Sequence, residues 1–385
     1  MRKNKLNESS FLNVMKSIDK EDIKLRIITK KNWKLLNLIF LLIIIFLIIS
    51  ILFYFCYILF IIKNQMKANE IIIKNITNTN INIEDNIIEP YIKAQKDFCS
   101  NPNKYFNEEY EKDIKLVNVK LNELKYQMYL FKYRNFLLND IKKKGAFEID
   151  ICNSILEALK FYSSKNKIIN NKDIFILDIG GNVGWYPSYL GRYGYTILSF
   201  EPFERNNYVA KKNYCNIKEG SNIIIITKGL GSEKKICDYF IHKKNEGNGM
   251  VKCDNKNYLN NTSLRDHFIK ESIVEITTLN SFIPYLFTKN VALMKIDVEG
   301  NELHVIKGGE KLITKYHIPF VVLEFSPTFL KEAGSEPKKL AQFFVDNGYK
   351  ISLKGFMSKD YISVDEIMKK VRFQINCYFI HDSIK

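Results

Sequence analysis

The first long pattern in the chain is an unbroken apolar run. From Leu35 to Ile62 the sequence LLNLIFLLIIIFLIISILFYFCYILFII carries no charged residue, and Asn37 is its one strongly polar side chain. At about 28 residues the run exceeds the roughly 20 that a membrane-crossing helix needs, so it predicts a transmembrane span. A cleaved signal sequence would have a shorter apolar core, about 7–15 residues, and a small-residue cleavage site. Neither is present. Residues 63–123 then read as a partly helical stem, rich in Lys, Asn, Glu and Ile, with prolines only at Pro90 and Pro102.

Near Tyr126 the pattern changes. YQMYLFKY suits a strand, and KKKGAFEIDICNSILEALKFY suits a helix entered through Gly145, with Ile149, Ile151, Ile155, Leu156 and Leu159 near helical spacing. Short apolar runs follow at Ile174–Leu177, Thr196–Phe200, Ile223–Thr227, Val291–Ile296 and Ile318–Phe325. Each has the character of a strand buried on both faces in a parallel sheet. Helical patterns lie between them at Trp185–Tyr193 and Glu302–Tyr316, and another at Pro337–Asn347 ends at Gly348. Tyr349–Leu353 and Asn376–His381 supply two final strands. This alternation predicts an α/β fold with a doubly wound, mostly parallel, Rossmann-like sheet. The polar stretch 232–272, with Gly247 and Gly249, reads either as a mobile acceptor loop or as a solvated surface loop. The expected layout is a basic tail at 1–34, a membrane helix at 35–62, a stem at 63–123 and the globular domain at 124–385.

Charge sets the expected topology. Lys16, Lys20, Lys24, Arg26, Lys30, Lys31 and Lys34 precede the span, and only Lys63, Lys67 and Lys74 follow closely. The positive excess keeps the N-terminus cytoplasmic and sends the rest to a lumen or the exterior, as in a single-pass signal-anchor protein of the secretory pathway. The sequons at Asn75, Asn260 and Asn261 would then lie on the glycosylated side. Cys56 falls in the span. Cys99, Cys152, Cys215, Cys237, Cys253 and Cys377 either pair in an oxidising compartment or remain free buried thiols, and no C-x-x-C spacing marks a metal or redox site. The net charge of +16 does not point to nucleic acid. Lysines are scattered among Asn and Ile, with no basic helix interleaved with aromatics and no zinc-finger spacing.

The chemistry concentrates in DIFILDIGGNVGWYPSYLGRYGYTILSFEP, residues 173–202. A buried strand runs into Asp178, Gly180, Asn182 and Gly184; a helix follows, then a strand ending in Glu201-Pro202. This is half of a nucleotide-binding sheet. Gly180 allows a sharp turn and close ligand approach. Gly184 permits close packing at the helix start. Glu201, at a strand tip, can accept two hydrogen bonds from a ribose diol. A dinucleotide fingerprint needs G-x-G-x-x-G, but counting from Gly180 the later positions hold Asn182 and Trp185, which disfavours an oxidoreductase. Asp178 and the turn amides suit the zwitterionic tail of S-adenosylmethionine better than a pyrophosphate.

A second constellation is MKIDVEGNELHVIKGGEKL, residues 294–312. Strand periodicity puts Lys295, Asp297 and Glu299 on one side, with Asp297 at the carboxyl end where open α/β sheets bind ligands. LDIGGNVGWY, LSFEP, TTLNSF, MKIDVEGNELHVIKGGEKL and the later VVLEF together resemble the FkbM-type methyltransferases, over roughly residues 126–350. Two positions depart from the usual pattern: Asn280 stands where Asp is common after T-L, and Gly181 where Ala is common in the turn.

The resemblance implies a class I methyltransferase sheet with S-adenosylmethionine at its carboxyl edge. By position, Asp178, Gly180, Gly181, Asn182, Gly184, Glu201 and Pro202 would hold the cofactor. Gly229 and Leu230, in the segment Lys228–Gly231, would border the adenine. Asp297, Glu299 and Glu302 would face the methyl group and the acceptor. The family commonly methylates hydroxyl oxygens, so the expected partner is a glycan, lipid-linked or small-molecule acceptor. An alcohol needs a base to become a good nucleophile, and Asp297, then Glu299, are the candidates. Glu299 and Glu302 equally suit a structural role at a helix N-terminus. His304, alone on a helix, suits a structural role. No metal is assigned. The alternative to an enzyme is a non-catalytic membrane-anchored binding protein that retains the fold.

Overall fold

The computed structural model describes residues 44–52, 54–55, 63, 87–132, 136–217, 222–243, 245–253 and 267–384. Two compact units divide the chain, Met1–Thr79 and Asn80–Lys385. In the first, residues 44–52 and 54–55 are helical with exposed apolar side chains, Phe46 at 71% and Ile51 at 65%. Among the described residues no helix is long and apolar enough to cross a membrane. The basic tail, most of the expected span 35–62 and the three sequons lie outside the described residues.

The second unit is built on an eight-stranded sheet in the order β13-β12-β14-β11-β10-β3-β4-β5. Its strands are β3 (Ile174–Ile179), β4 (Thr196–Phe200), β5 (Asn222–Ile226), β10 (Asn290–Ile296), β11 (Phe320–Phe325), β12 (Tyr349–Ser352), β13 (Tyr361–Ile362) and β14 (Ile375–His381). The neighbouring pairs from β5 to β11 are parallel, and β14 runs antiparallel to both β11 and β12. Every residue of β3 and β4 is buried, which explains their unbroken apolar character.

Helices cover both faces. On one lie α3 (Phe136–Lys144), α4 (Ile149–Lys165), α5 (Trp185–Leu190) and α6 (Glu204–Cys215); on the other lie α7 (Ile283–Leu286), α8 (Glu302–Tyr316), α9 (Pro327–Glu332), α10 (Pro337–Asp346) and α11 (Val364–Lys370). The period of α8 puts Leu303, Val305, Ile306, Leu312 and Ile313 into the core. Gly308 lets the same helix touch the loop after β5: a Cβ there would stand 1.9 Å from the Gly231 carbonyl oxygen.

Two expectations are corrected. The domain does not begin at 124. Helix α1 (Glu89–Ser100) buries Phe98, and Gln95 donates to Ile223 O (2.7 Å) and accepts from Ile225 N–H (3.0 Å). Gln95 thereby satisfies backbone groups along the open edge of β5. Cys99 is bonded to Cys215 at the end of α6. Helix α2 (Glu108–Asp113) is tied to α6 by Arg205–Asp113 (2.6 Å) and by Glu111, which accepts from Tyr208 and Lys212. It leads into the hairpin β1 (Ile114–Leu121) and β2 (Leu124–Phe131). The stem reading failed because half-buried strands carrying polar residues such as Lys115, Asn118, Lys120 and Lys125 resemble a solvated spacer.

Residues 232–272 are likewise not simply a loop. They supply most of β7 (Lys235–His242), β8 (Asn245–Lys252) and β9 (Phe268–Thr277), which join the two-residue β6 (Gly229–Leu230) in a separate sheet, order β6-β9-β7-β8. Cys237–Cys253 crosslinks β7 to the residue after β8, while Cys152 and Cys377 are free and buried.

Of the two crosslinks, Cys99–Cys215 closes the longer loop, a sequence separation of 116, and removes the most unfolded-chain entropy. Selective loss of it, in a Cys99→Ser/Cys215→Ser variant, is expected to lower unfolding stability by roughly 2–5 kcal/mol in urea titrations. A melt indistinguishable from the parent would contradict that loop-closure account.

Candidate functional site

Strand order reverses between β3 and β10: β4 and β5 extend one way, β11 and β14 the other. Ligands of open α/β sheets bind at the carboxyl ends of strands flanking such a point. A cavity of about 650 Å³ opens there. Its inner wall is Ile179, Gly180, Glu201, Pro202, Asp297 and Val298; Gly229, Leu230 and Gly231 border it beside β5; Tyr239, Val251 and Ile276 of the small sheet roof it.

Gly180 has φ +85°, and a Cβ on it would stand 1.8 Å from the Asp297 carbonyl oxygen. A side chain at 180 would therefore drive apart the tips of β3 and β10. The Gly180 and Gly181 N–H groups both donate to Phe200 O, at 2.9 and 3.0 Å, which draws in the tip of β4. Glu201 follows directly. Its carboxylate accepts from Asn182 N–H (2.8 Å) on one oxygen and Phe203 N–H (2.9 Å) on the other, with the Asn206 side chain as a further donor, so its orientation is fixed. Burial pushes this carboxyl up to about 7, against the pull of those backbone donors.

The sequence-predicted residues separate into two sets. Gly180, Glu201, Pro202, Gly229, Leu230 and Asp297 border the cavity. Asp178, Gly181, Asn182 and Gly184 stand behind its wall. Asp178 is 1% exposed and accepts from Ser199 Oγ (2.8 Å), while its Oδ1 has no partner. Gly181 packs on Ser199, and Gly184 starts α5 against Ala210. Asn182, at φ +48°, serves Glu201 through its backbone. Asn280 accepts from Leu312 N–H (3.1 Å) inside α8, so the departure there is structural.

Glu302 is corrected from acceptor contact to a structural role. It is 1% exposed, and its Oε1 accepts from Gly300 N–H (3.1 Å) and Val298 N–H (3.3 Å), closing the turn after β10. His304 borders the cavity with Nε2 3.1 Å from Ala333 O. Glu299 does not border the cavity. Held at φ +51°, it brings a carboxylate oxygen within 4.8 Å of those of Asp297 and Glu324, the acid near the end of β11. A cation could bridge that spacing, but acids alone do not assign one. Burial, then Asp297, raises both Glu299 and Glu324, the latter to about 8.

Sequence reasoning put Lys295 on the side of Asp297 but gave it no role, and it missed Tyr186 and Glu148. Lys295 is 8% exposed and sits 3.0 Å from Asp297 Oδ2, with the Tyr186 ring centroid 4.9 Å away. Tyr186 in turn donates to Glu148, which stands at φ +45° ahead of α4. Glu148 belongs to no strand tip and no glycine motif. The one available signal was a Glu immediately before a helix.

Fold and site together have the layout of a nucleoside-binding α/β domain. Residues 178–351 match the family described as "Methyltransferase FkbM domain". "Methyltransferase 1" of Beauveria bassiana (strain ARSEF 2860) is 29% identical over 148 residues, 35% of this chain and 58% of that protein. The chain thus spans under two thirds of that relative's length. Magnesium protoporphyrin IX methyltransferase from Synechocystis PCC 6803, solved with bound SAM, is 10% identical, over 76% of this chain and 97% of that one, with a TM-score of 0.32. WbdD, solved with a kinase inhibitor, is 12% identical over 66% of this chain and 46% of that one, with a TM-score of 0.35. Likenesses this slight carry no functional argument. Both matches are to proteins described as methyltransferases, and the family match covers residues 178–351, the glycine turn and the Asp297 segment included.

Burial pushes the Glu302 carboxyl from 4.5 up to about 7, so across that interval the folded state holds a proton that the unfolded state has lost. Its contribution therefore opposes folding increasingly as pH rises from 4.5 to about 7 and is constant above. Glu302→Gln keeps the acceptor oxygen and removes the ionisation. Relative to the parent it should gain, on the order of 3 kcal/mol, between pH 4.5 and 8 in urea titrations. A pH-independent difference would show that Glu302 is not protonated in the fold.

Proposed function

We propose that the chain is an S-adenosylmethionine-dependent methyltransferase that methylates a hydroxyl group on a glycan, lipid-linked or small-molecule acceptor. The observation that carries this reading is one cavity bordered by the bare backbone of Gly180, the oriented carboxylate of Glu201 and the carboxylate of Asp297. The residues fit the cofactor: a Cβ-free wall, a strand-tip acid held in one orientation at the cavity edge, and a buried Asp178 oxygen lacking a partner. Gly180, Glu201, Pro202, Gly229 and Leu230 would hold it, with Asp178 behind them. When bound, the cofactor supplies an electrophilic methyl group on a sulfonium.

The chain's own part is alignment and proton removal. Val298, Val251, Ile276 and Tyr239 exclude water from one side of the cavity, and Tyr239 is fixed by stacking on Phe203 at 4.4 Å. Asp297 accepts the proton of the acceptor hydroxyl as the oxygen–methyl bond forms and the carbon–sulfur bond breaks. The proton then leaves to solvent.

The same proposal includes membrane attachment through residues 35–62, with a cytoplasmic N-terminus and a lumenal or extracellular domain. It is supported by the apolar run, by the exposed apolar side chains of the helical segment 44–52, and by two disulfides, which persist in oxidising compartments. Protease added to sealed microsomes should leave the domain intact until detergent is present. Digestion without detergent would reverse the orientation.

Calorimetry of the full chain in detergent should show S-adenosylmethionine binding, and labelled methyl should pass into a cell glycan and lipid extract. Asp297→Asn should slow that transfer by about 10²–10⁴-fold, the usual contribution of a positioned base, with cofactor affinity within about threefold. No binding at millimolar cofactor would end the enzymatic reading in favour of a retained fold without catalysis.

A further inference from the structure

The carboxyl edge of the sheet gathers Asp178, Asp297, Glu299 and Glu324 around a buried cation, Lys295. Lys295 precedes the turn after β10 and pairs in register with Asp178 of β3. Groups face its ammonium from every element around it: Asp297 and Glu299 from the turn after β10, Asp178 on β3, Glu148 and Cys152 from α4 and its cap, Tyr186 from α5 and Glu324 from β11. Asp297 takes the direct contact, at 3.0 Å. Asp297 also borders the cavity, whereas Lys295 does not.

We propose that Lys295 is the positioning residue of the transfer site: anchored by the Tyr186 ring and the Glu148 and Asp178 carboxylates, it holds one oxygen of Asp297 so that the other is presented to the acceptor hydroxyl. The inference rests on the methyltransferase reading and goes beyond it, because Lys295 reaches neither cofactor nor acceptor. Bond changes are those already given: the hydroxyl proton goes to Asp297, oxygen bonds to the methyl carbon, and the carbon–sulfur bond breaks. Lys295 gives up no proton. Burial alone would lower its basicity, but Asp297, Asp178 and Glu148 outweigh burial and hold it above its ordinary value. Arginine should substitute in part, since charge and reach are the property required. Methionine, of similar length, should not.

The test uses the full chain with labelled cofactor and the extract described above. Lys295→Met is expected to cut label transfer about 100-fold while the cofactor Kd, by calorimetry, moves less than about threefold. Lys295→Arg should recover transfer to within about tenfold of the parent. Combining Lys295→Met with Asp297→Asn should lose little more than Asp297→Asn alone, because both act through one carboxylate. In the chain without cofactor, the stability deficit of Lys295→Met should widen as pH rises from 4 to 8, as buried acids lose their counter-charge. Should Lys295→Met fail to fold, the Arg variant decides: transfer reduced as far as in Asp297→Asn overturns the inference. Full multiplication of the two single losses in the double variant overturns it too, as does parental transfer by a folded Lys295→Met. Parent chain that binds no cofactor overturns the functional reading and this inference together; parent that binds and transfers while the variants behave additively overturns only this one.

Discussion

Everything at the carboxyl edge depends on one approach of backbone to backbone. Gly180 lies against the carbonyl of Asp297, and Asp297 N–H donates to Ile179 O at 2.9 Å. The tips of β3 and β10 are thus locked where strand order reverses. The two amides that follow, donating to Phe200 O, bring the tip of β4 into the same knot. A single absent methyl group therefore fixes the relative position of Glu201 and Asp297. Both acids extend from backbone already immobilised, and Lys295 then sets the direction of the Asp297 carboxylate.

The second constraint is electrostatic. Asp178, Glu201, Glu299, Glu302 and Glu324 are all raised, and in each case burial is the largest cause. Carboxyls crowded in a low-dielectric wall hold protons unless a cation intervenes. Lys295 lies 3.0 Å from Asp297 and also draws against the upward shift of Asp178, Glu299, Glu324 and Glu148. The arrangement distinguishes one acid from its neighbours by proximity to an ammonium. The backbone contributes as well: Glu148, Asn182 and Glu299 all adopt left-handed φ, a conformation that costs non-glycine residues free energy and that recurs around functional sites.

Strands buried on both faces were legible because their apolar runs are short and bounded. Thr196–Phe200 and the helix Glu302–Tyr316 have the extents read from sequence. The Asp178–Gly184 turn and the Asp297–Glu302 segment could be located, and Gly180, Glu201 and Asp297 meet as their strand-tip positions imply. The small sheet was not legible. Its β7 and β9 do not alternate cleanly: β7 buries Tyr239, Phe240 and Ile241 in succession, and β9 exposes Ile269, Lys270 and Glu271 in succession. Nor could sequence decide between facing and backing roles. Asp178 and Glu302 sit at ligand-like positions, yet both stand behind the cavity wall, with one oxygen of each engaged by Ser199 or by the turn amides. Side-chain direction at a strand tip depends on the backbone's next two dihedrals, and periodicity does not encode those.

Glu148 gives the architecture an inheritance question. The acid that buttresses Lys295 through Tyr186 lies thirty residues ahead of the segment 178–351 that carries the family signature. A minimal fragment trimmed to that signature would keep the glycine turn, the strand-tip acids and the cation, yet discard a partner that holds the cation still. For this fold, the unit that must be transplanted or evolved intact is wider than the unit that sequence similarity outlines.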